Sequence, residues 1–356
     1  MAGLYIGSTQ GYSGKNLLTL TLGLKLQKEG YKVGYMKPVG AVPTQVDGKL
    51  GDEDALFVQE ILGLNEDPEL LTPVVVDHDF KVKAFKGEYD PQHLIEKIEK
   101  AYNELSKDKD VMLVAGSGSM YSGRYCNVDG VTLVKKFGFK TIILDRFEQE
   151  LHYDYLAVLK DELQDLMLGT VLNDIPEQFQ EELNSMILPF LERKGITPLG
   201  VIPKDPLMGA IKIADLAKRL SGRIIVASEK ADKIVENFLI GTMQVENFMT
   251  HFKKNPNVAV IVGGDRSDVQ LVALEGNCQC LILTGNLYPN DIIMTRAEVL
   301  GIPIVLVRED TFSVAKKMDE ILSMIKLRDV IKVNHGTKLV GSVLDFGAIK
   351  QALDLK

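Results

Sequence analysis

At 356 residues the chain has room for two ordinary domains, and its 46% hydrophobic and 25% charged content is that of a soluble globular protein. A net charge of −8 argues against a general binder of nucleic acid or of anionic membrane, since either needs a basic footprint. No apolar run reaches the length of a membrane span and the start has no secretory pattern. Three cysteines, Cys126, Cys278 and Cys280, form no disulfide framework, so a cytoplasmic location is expected.

The apolar run Leu4-Tyr5-Ile6 leads into a loop of small residues, Gly7-Ser8-Thr9-Gln10-Gly11-Tyr12-Ser13. Gly14-Lys15 then opens a segment with leucines at 17, 18, 20, 22, 24 and 26. Strand, glycine-bearing loop, Gly-Lys and helix in that order form the phosphate-binding arrangement of P-loop proteins. Unpaired amides and the positive dipole end of the helix favour an anion, and Lys15 adds a full charge against terminal phosphates. The residues expected to bind a nucleotide here are Gly11, Tyr12, Ser13, Gly14, Lys15, Asn16 and Leu17. Two positions depart from G-x-x-x-x-G-K-[ST]: Thr9 replaces a glycine, and Asn16 replaces the hydroxyl that ligates magnesium. An amide oxygen is harder to place, so phosphate binding is expected ahead of efficient phosphoryl transfer. The alternative is a plain strand-to-helix turn whose glycines only permit tight geometry.

Gly30 reads as the stop of the first helix. A second strand, 32–36, ends on Lys37-Pro38-Val39-Gly40, and a lysine there points to the edge at which open α/β sheets bind ligands. A surface lysine before a proline turn is the alternative. Asp52 reads as a helix N-cap, with Glu53 and Asp54 in the first turn. His78, between Asp77 and Asp79, reads as part of a solvated turn. An amphipathic helix is expected from Pro91 to Leu105. Buried-type strands follow at 111–114, 141–145, 167–174 and 199–203, the first leading into a second loop of small residues at 115–119. Together these predict an α/β fold: a P-loop NTPase-type parallel sheet with helices on both faces.

The ordered set Gly14-Lys15, Lys37-Pro38-Val39, Asp54-Ala55-Leu56, the glycine-rich loop at 116–118, Val171-Leu172-Asn173 and Gly200-Val201-Ile202-Pro203 resembles dethiobiotin synthetase over roughly residues 1–210. That family uses ATP to close a ureido ring from a diamine and carbon dioxide. The resemblance implies Lys15 at the phosphates, Lys37 at the phosphate or carbamate, and Asp54 toward magnesium. It also implies Asn173 and Pro203 facing the adenine, while Ser117 lies in the second loop able to approach an anion. Ala115 stands where that family carries an acidic residue. With Asn16 this removes two metal contacts and leaves Mg2+ mostly to water and Asp54 or Asp52.

From about Asp205 to Ala214 the character changes. Strand 233–240 ends at Gly241-Thr242-Met243, 258–262 at Gly263-Gly264-Asp265-Arg266-Ser267-Asp268, 280–283 at Thr284-Gly285, and 303–307 at Arg308-Glu309-Asp310-Thr311. These repeats predict a second, smaller α/β domain of parallel strands. Its strand ends offer a second ligand site from Gly241, Thr242, Gly264, Asp265, Arg266 and Thr284. The alternative for Asp265-Arg266 is a local ion pair at a helix start, with Asp268 favouring the positive helix end. Cys278 and Cys280 read as small buried side chains. Gly241-Thr242-Met243, Gly264 to Asp268, Leu283-Thr284-Gly285 and Leu300-Gly301-Ile302-Pro303 resemble the DRTGG domain. The expected divisions are 1–210, 211–325 and a C-terminal segment, 326–356. Together the halves resemble the N-terminal regulatory portion of long bacterial phosphate acetyltransferases (phosphotransacetylases). The acyl-transfer domain of those enzymes would follow, and residues 332–355 are too few to form it.

The expected function is that of an ATP-type nucleotide-binding regulatory or sensor protein with a degraded magnesium site. A second nucleotide or metabolite is expected at the smaller domain, in a homodimer without nucleic-acid or membrane partners. The alternative is an ATP-dependent carboxylating or amide-forming ligase in which Lys15 and Lys37 stabilise transferred phosphoryl charge. A scaffold without ligand binding is the third reading.

Overall fold

The structure, a computed structural model, describes residues 2–323, 327 and 330–355. The chain divides into two compact units, Met1–Lys204 with Leu327–Lys356, and Asp205–Lys326. The expected boundary at 325 and 326 lies outside the described residues. Residues 327–356, expected as a segment of their own, group with the first unit.

The first unit is built on a parallel sheet of six strands: β1 Ala2–Ser8, β2 Val33–Met36, and, after the two-stranded hairpin β3 Pro43–Val46 and β4 Lys49–Asp52, β5 Val111–Ala115, β6 Lys140–Arg146, β7 Met167–Ile175 and β8 Pro198–Pro203. Their order across the sheet is β8-β7-β6-β1-β5-β2, every pair parallel. β5 is buried along its whole length, as an unbroken apolar run must be when helices cover both faces. One face carries α1 Lys15–Lys28 and α2 Glu53–Ile61. On α1, Leu18, Leu20, Leu22 and Leu26 are buried. Helix Val330–Val343 packs on α1 and on β8, which is how the C-terminal residues join this unit. The other face is covered by α3 Pro91–Leu105, α4 Gly130–Phe137 and α5 Tyr153–Leu163, through a core that includes Leu94, Ile98, Val131, Leu156 and Leu159.

The hairpin β3–β4 was not expected, because polar residues interrupt it and it has no apolar run. His78 begins a helix, His78–Phe85, rather than a turn, since Asp77 caps it by accepting from Phe80 N.

The second unit has a five-stranded sheet made of β9 Arg223–Val226, β10 Asn237–Ile240, β11 Val258–Gly263, β12 Cys280–Thr284 and β13 Ile304–Leu306. The order is β9-β13-β12-β11-β10. Four strands are parallel, as expected; the edge strand β9, where no strand was expected, runs antiparallel to β13. The expected strand 233–240 is broken at Glu236: Ile234–Val235 pairs with Ile211–Lys212 in a small separate ribbon, and β10 joins the main sheet. Cys278 and Cys280 are buried and unbridged.

Candidate functional site

In the parallel sheet of the first unit, β1 lies between β5 and β6, so the loop leaving Ser8 is flanked by the ends of both. Gly14 is the N-cap of α1 with φ 100°, a left-handed conformation that a side chain would strain. A Cβ there would also meet Asn173 Nδ2 at 2.7 Å. The first amides of α1 have no intrahelical acceptor and open toward the loop. Gly11 and Tyr12 form its exposed tip, and nothing lies within 4 Å of where a Cβ on Gly11 would stand. Ser13 is buried, its hydroxyl donating to Gln10 O at 2.9 Å. Leu17 is buried in the core, so its backbone amide is the part of it that can serve a ligand.

Lys15 turns its ammonium back along the loop, to Ser8 Oγ at 2.7 Å, Gly118 O at 2.7 Å and Gln10 O at 3.4 Å. Burial, then the nearby Lys37 charge, push its pKa from 10.5 down to about 7, with Asp54 opposing. Ser117 lies beside Gly118 in the loop after β5, half-buried.

Lys37 follows β2 and is buried, which rules out the surface-lysine alternative. Its Nζ lies 2.8 Å from Asp52 Oδ1 and 3.4 Å from Asp54 Oδ2. Asp52 is the N-cap of α2, as expected. Its Oδ1 also accepts from Asp54 N and Ala55 N at 3.0 Å each, and its Oδ2 accepts from Val42 N at 2.9 Å. Four donors already hold this fully buried carboxylate, three on Oδ1 and one on Oδ2. Asp54 is the more exposed of the two, its side chain 17% accessible against 0% for Asp52. Among the described residues no group of three His, Cys, Asp or Glu side chains is arranged to hold a metal ion. Beneath α2, the Tyr35 hydroxyl is buried without a partner among the described residues. Burial, with the charges of Asp52 and Asp54, raises its pKa far above 10.

Asn173, near the end of β7, donates from Nδ2 to Ser13 O at 2.8 Å and accepts Asp174 N at 2.9 Å, so its amide braces the loop. Pro203 ends β8, three strands from β1, about 14 Å away at ordinary strand spacing, and is exposed.

Sequence reasoning missed the residues that hold the loop from behind. Thr9 Oγ1 donates to Asp145 Oδ1 at 2.6 Å, and buried Asp145 also accepts His152 N at 2.8 Å and faces His152 Nδ1 at 2.8 Å. Arg146 grips Asp174 Oδ2 through Nε at 3.0 Å and Nη2 at 2.9 Å, and reaches Tyr12 O at 3.4 Å. The available signal was position: Asp145 and Arg146 are polar residues at the carboxyl end of a buried parallel strand, beside the P-loop strand.

In the second unit, considered by itself, Gly241 and Thr242 follow β10, Gly264, Asp265 and Arg266 follow β11, and Thr284 ends β12, all at one sheet edge. The ion pair at the start of helix Ser267–Glu275 joins Arg266 to Asp268, through Nε and Nη2 at 3.0 Å each, rather than to Asp265. Gly264 sits under Leu287 O, where a Cβ would come to 2.1 Å. Thr284 Oγ1 is 2.8 Å from Thr311 Oγ1, and buried Gln270 donates to Gly263 O at 2.8 Å while its Oε1 lacks a partner among the described residues.

A parallel sheet with helices on both faces and a Gly-Lys loop at the mouth of its first strand defines a P-loop-type α/β domain, followed here by a smaller α/β domain. A family model described as an AAA domain matches residues 2–212, more than half of the chain, and the chain belongs to that family. A second model, the DRTGG domain, matches residues 215–321. The chain is similar to the phosphate acetyltransferase of Pseudomonas aeruginosa, 25% identical over 366 residues that cover 95% of this chain and 50% of that protein. Its N-terminal part is similar to the ATP-dependent dethiobiotin synthetase BioD of Methanococcus vannielii, 29% identical over 203 residues, 56% of this chain and 77% of that protein. The chain thus spans about half the length of the phosphate acetyltransferases it matches. Among solved structures, the cell division ATPase MinD of Pyrococcus furiosus aligns with 58% of this chain and 85% of its own at 20% identity and a TM-score of 0.36. No described helix is long and apolar enough to cross a membrane.

Proposed function

We propose that the first unit binds ATP or a related nucleotide at the loop 11–17 and serves as a regulatory or sensor domain rather than a fast phosphoryl-transfer enzyme. The observation that carries this reading is the Lys15 ammonium, enclosed at the mouth of a loop whose next residues are the uncapped amides of a helix. Phosphate oxygens offer that ammonium charged acceptors in place of two carbonyls and a hydroxyl. The adenine would extend along the sheet edge toward Asn173 and Pro203. The poor provision for magnesium supports binding over turnover: Asn16 replaces a hydroxyl, Ala115 offers no ligand, and Asp52 is held by four donors. Asp54, with water, is the group that would hold Mg2+. The glycine-bearing edge of the DRTGG unit, around Gly241, Thr242, Gly264, Asp265, Arg266 and Thr284, is the proposed site of a second small molecule. A homodimer in a reducing cytoplasm completes the proposal, in keeping with three buried, unbridged cysteines.

The second reading, an ATP-dependent ligase, draws on Lys37, a buried cation near enough to Lys15 to lower its pKa. Phosphate release from ATP decides between the two. Saturable binding with turnover at background level is the sensor's expected result. Release stimulated by a diamine with bicarbonate, and lost in Lys37→Met, would replace the sensor with the ligase.

A further inference from the structure

Tyr12, at the tip of the P-loop, stands in the left-handed region at φ 54°, where glycine is the usual residue and a bulky side chain is strained. Its side chain is 49% exposed and has no hydrogen bond, ring contact or cation contact among the described residues. Neighbouring side chains hold the loop in this shape. Asn173 Nδ2 donates to Ser13 O at 2.8 Å, and Arg146 Nη1 donates to Tyr12 O at 3.4 Å. Arg146 is itself held, since Nε and Nη2 both donate to Asp174 Oδ2, at 3.0 and 2.9 Å, which fixes the plane of the guanidinium. Asp174 is also left-handed, at φ 62°. Two strained non-glycine residues are thus joined through one guanidinium at the carboxyl edge of the sheet.

We propose that Tyr12 and Arg146 form the seat of a purine base: the base of a bound nucleotide lies with its π-face against the Tyr12 ring, beside the Arg146 guanidinium. A base is a flat apolar face with polar edges, and an aromatic ring is matched to that face whatever the edge carries. An exposed tyrosine offers the ring at low entropic cost, because only two torsions have to be fixed. The guanidinium adds a cation beside the π-system, and its donors to Asp174 and Tyr12 keep it in place. Asn173 does not read the base edge as it stands, because its Nδ2 serves Ser13 O and its Oδ1 accepts Asp174 N. Recognition by stacking therefore takes adenine and guanine alike, and prefers purines to the smaller pyrimidines by contact area. A tyrosine without a ligand would leave the strained backbone uncompensated, since glycine relaxes it. The proposal rests on the phosphate-binding reading given above and names what the base meets.

The test is calorimetric titration of the full chain with ATP, GTP, CTP and inorganic tripolyphosphate, on wild type, Tyr12→Gly and Tyr12→Phe. Wild type should bind ATP and GTP alike and CTP more weakly. Tyr12→Gly is expected to bind ATP and GTP at least about fivefold more weakly, with tripolyphosphate unchanged. Tyr12→Phe keeps the ring and should retain wild-type affinity. Thermal unfolding of Tyr12→Gly certifies the fold, with a midpoint no lower than that of wild type, because glycine suits the left-handed position. The sequence has no tryptophan, so Tyr12→Trp places a single indole at the seat. Its fluorescence should fall on saturation with ATP and stay unchanged with tripolyphosphate. Equal ATP affinity in wild type and Tyr12→Gly overturns the seat, as does an equal loss for ATP and tripolyphosphate. Where wild type binds tripolyphosphate and gains nothing from ATP, the phosphate reading stands and the seat falls. Where it binds neither, the phosphate reading falls and the seat with it. Where Tyr12→Gly fails to fold, the Tyr12→Trp signal decides.

Discussion

At the scale of single residues, the proposed phosphate site turns on one ammonium. With its pKa pushed down to about 7, unliganded Lys15 loses its proton as pH rises through that range, whereas a phosphate-bound lysine would keep it. Binding at pH 8 therefore takes up a proton, and affinity should fall by up to about tenfold per pH unit between 7 and 9. Calorimetric enthalpies in buffers of different ionisation enthalpy measure the uptake; release of a proton, or none, would contradict it. For unliganded folding the sign is opposite. From pH 7 to 10.5 the unfolded chain holds the proton more firmly, so the cost of the enclosed ammonium fades as pH rises. Gly14 and Lys15 were legible because a left-handed N-cap followed by a lysine leaves a local pattern. Thr9 with Asp145, and Lys15 with Gly118, were not, because they join residues 136 and 103 positions apart. No spacing rule reaches that far.

At the scale of elements, α2 shows how one carboxylate can serve both a helix and a buried cation. Asp52→Ala removes the cap and leaves Lys37 in the interior with Asp54 as its remaining carboxylate, at 3.4 Å. A loss of about 3–5 kcal/mol is expected in denaturant unfolding. Lys37→Met should cost much less, because three backbone amides still satisfy Asp52. Equal losses would contradict the account. The strands of both sheets were legible where apolar runs are long, as in β5, β11 and β12. The hairpin 43–52 has no such run, and β9, only four residues long, was missed as a strand altogether. The packing of Val330–Val343 on α1 was hidden for a different reason: a helix pattern states which face is apolar, not which neighbour covers it.

At the scale of the whole molecule, the described residues give each unit its own hydrophobic core, under the P-loop sheet in the first and on both faces of the five-stranded sheet in the second. A ligand that binds the folded first unit stabilises it by mass action, about 2.7 kcal/mol at a hundredfold excess over its dissociation constant. The direct test is calorimetric titration of the full chain with ATP, with and without magnesium, beside Lys15→Met. The account predicts one site per chain in the wild type, little dependence on magnesium, and affinity at least about a hundredfold weaker in the variant. Equal binding by both proteins, or binding that requires magnesium, would contradict it.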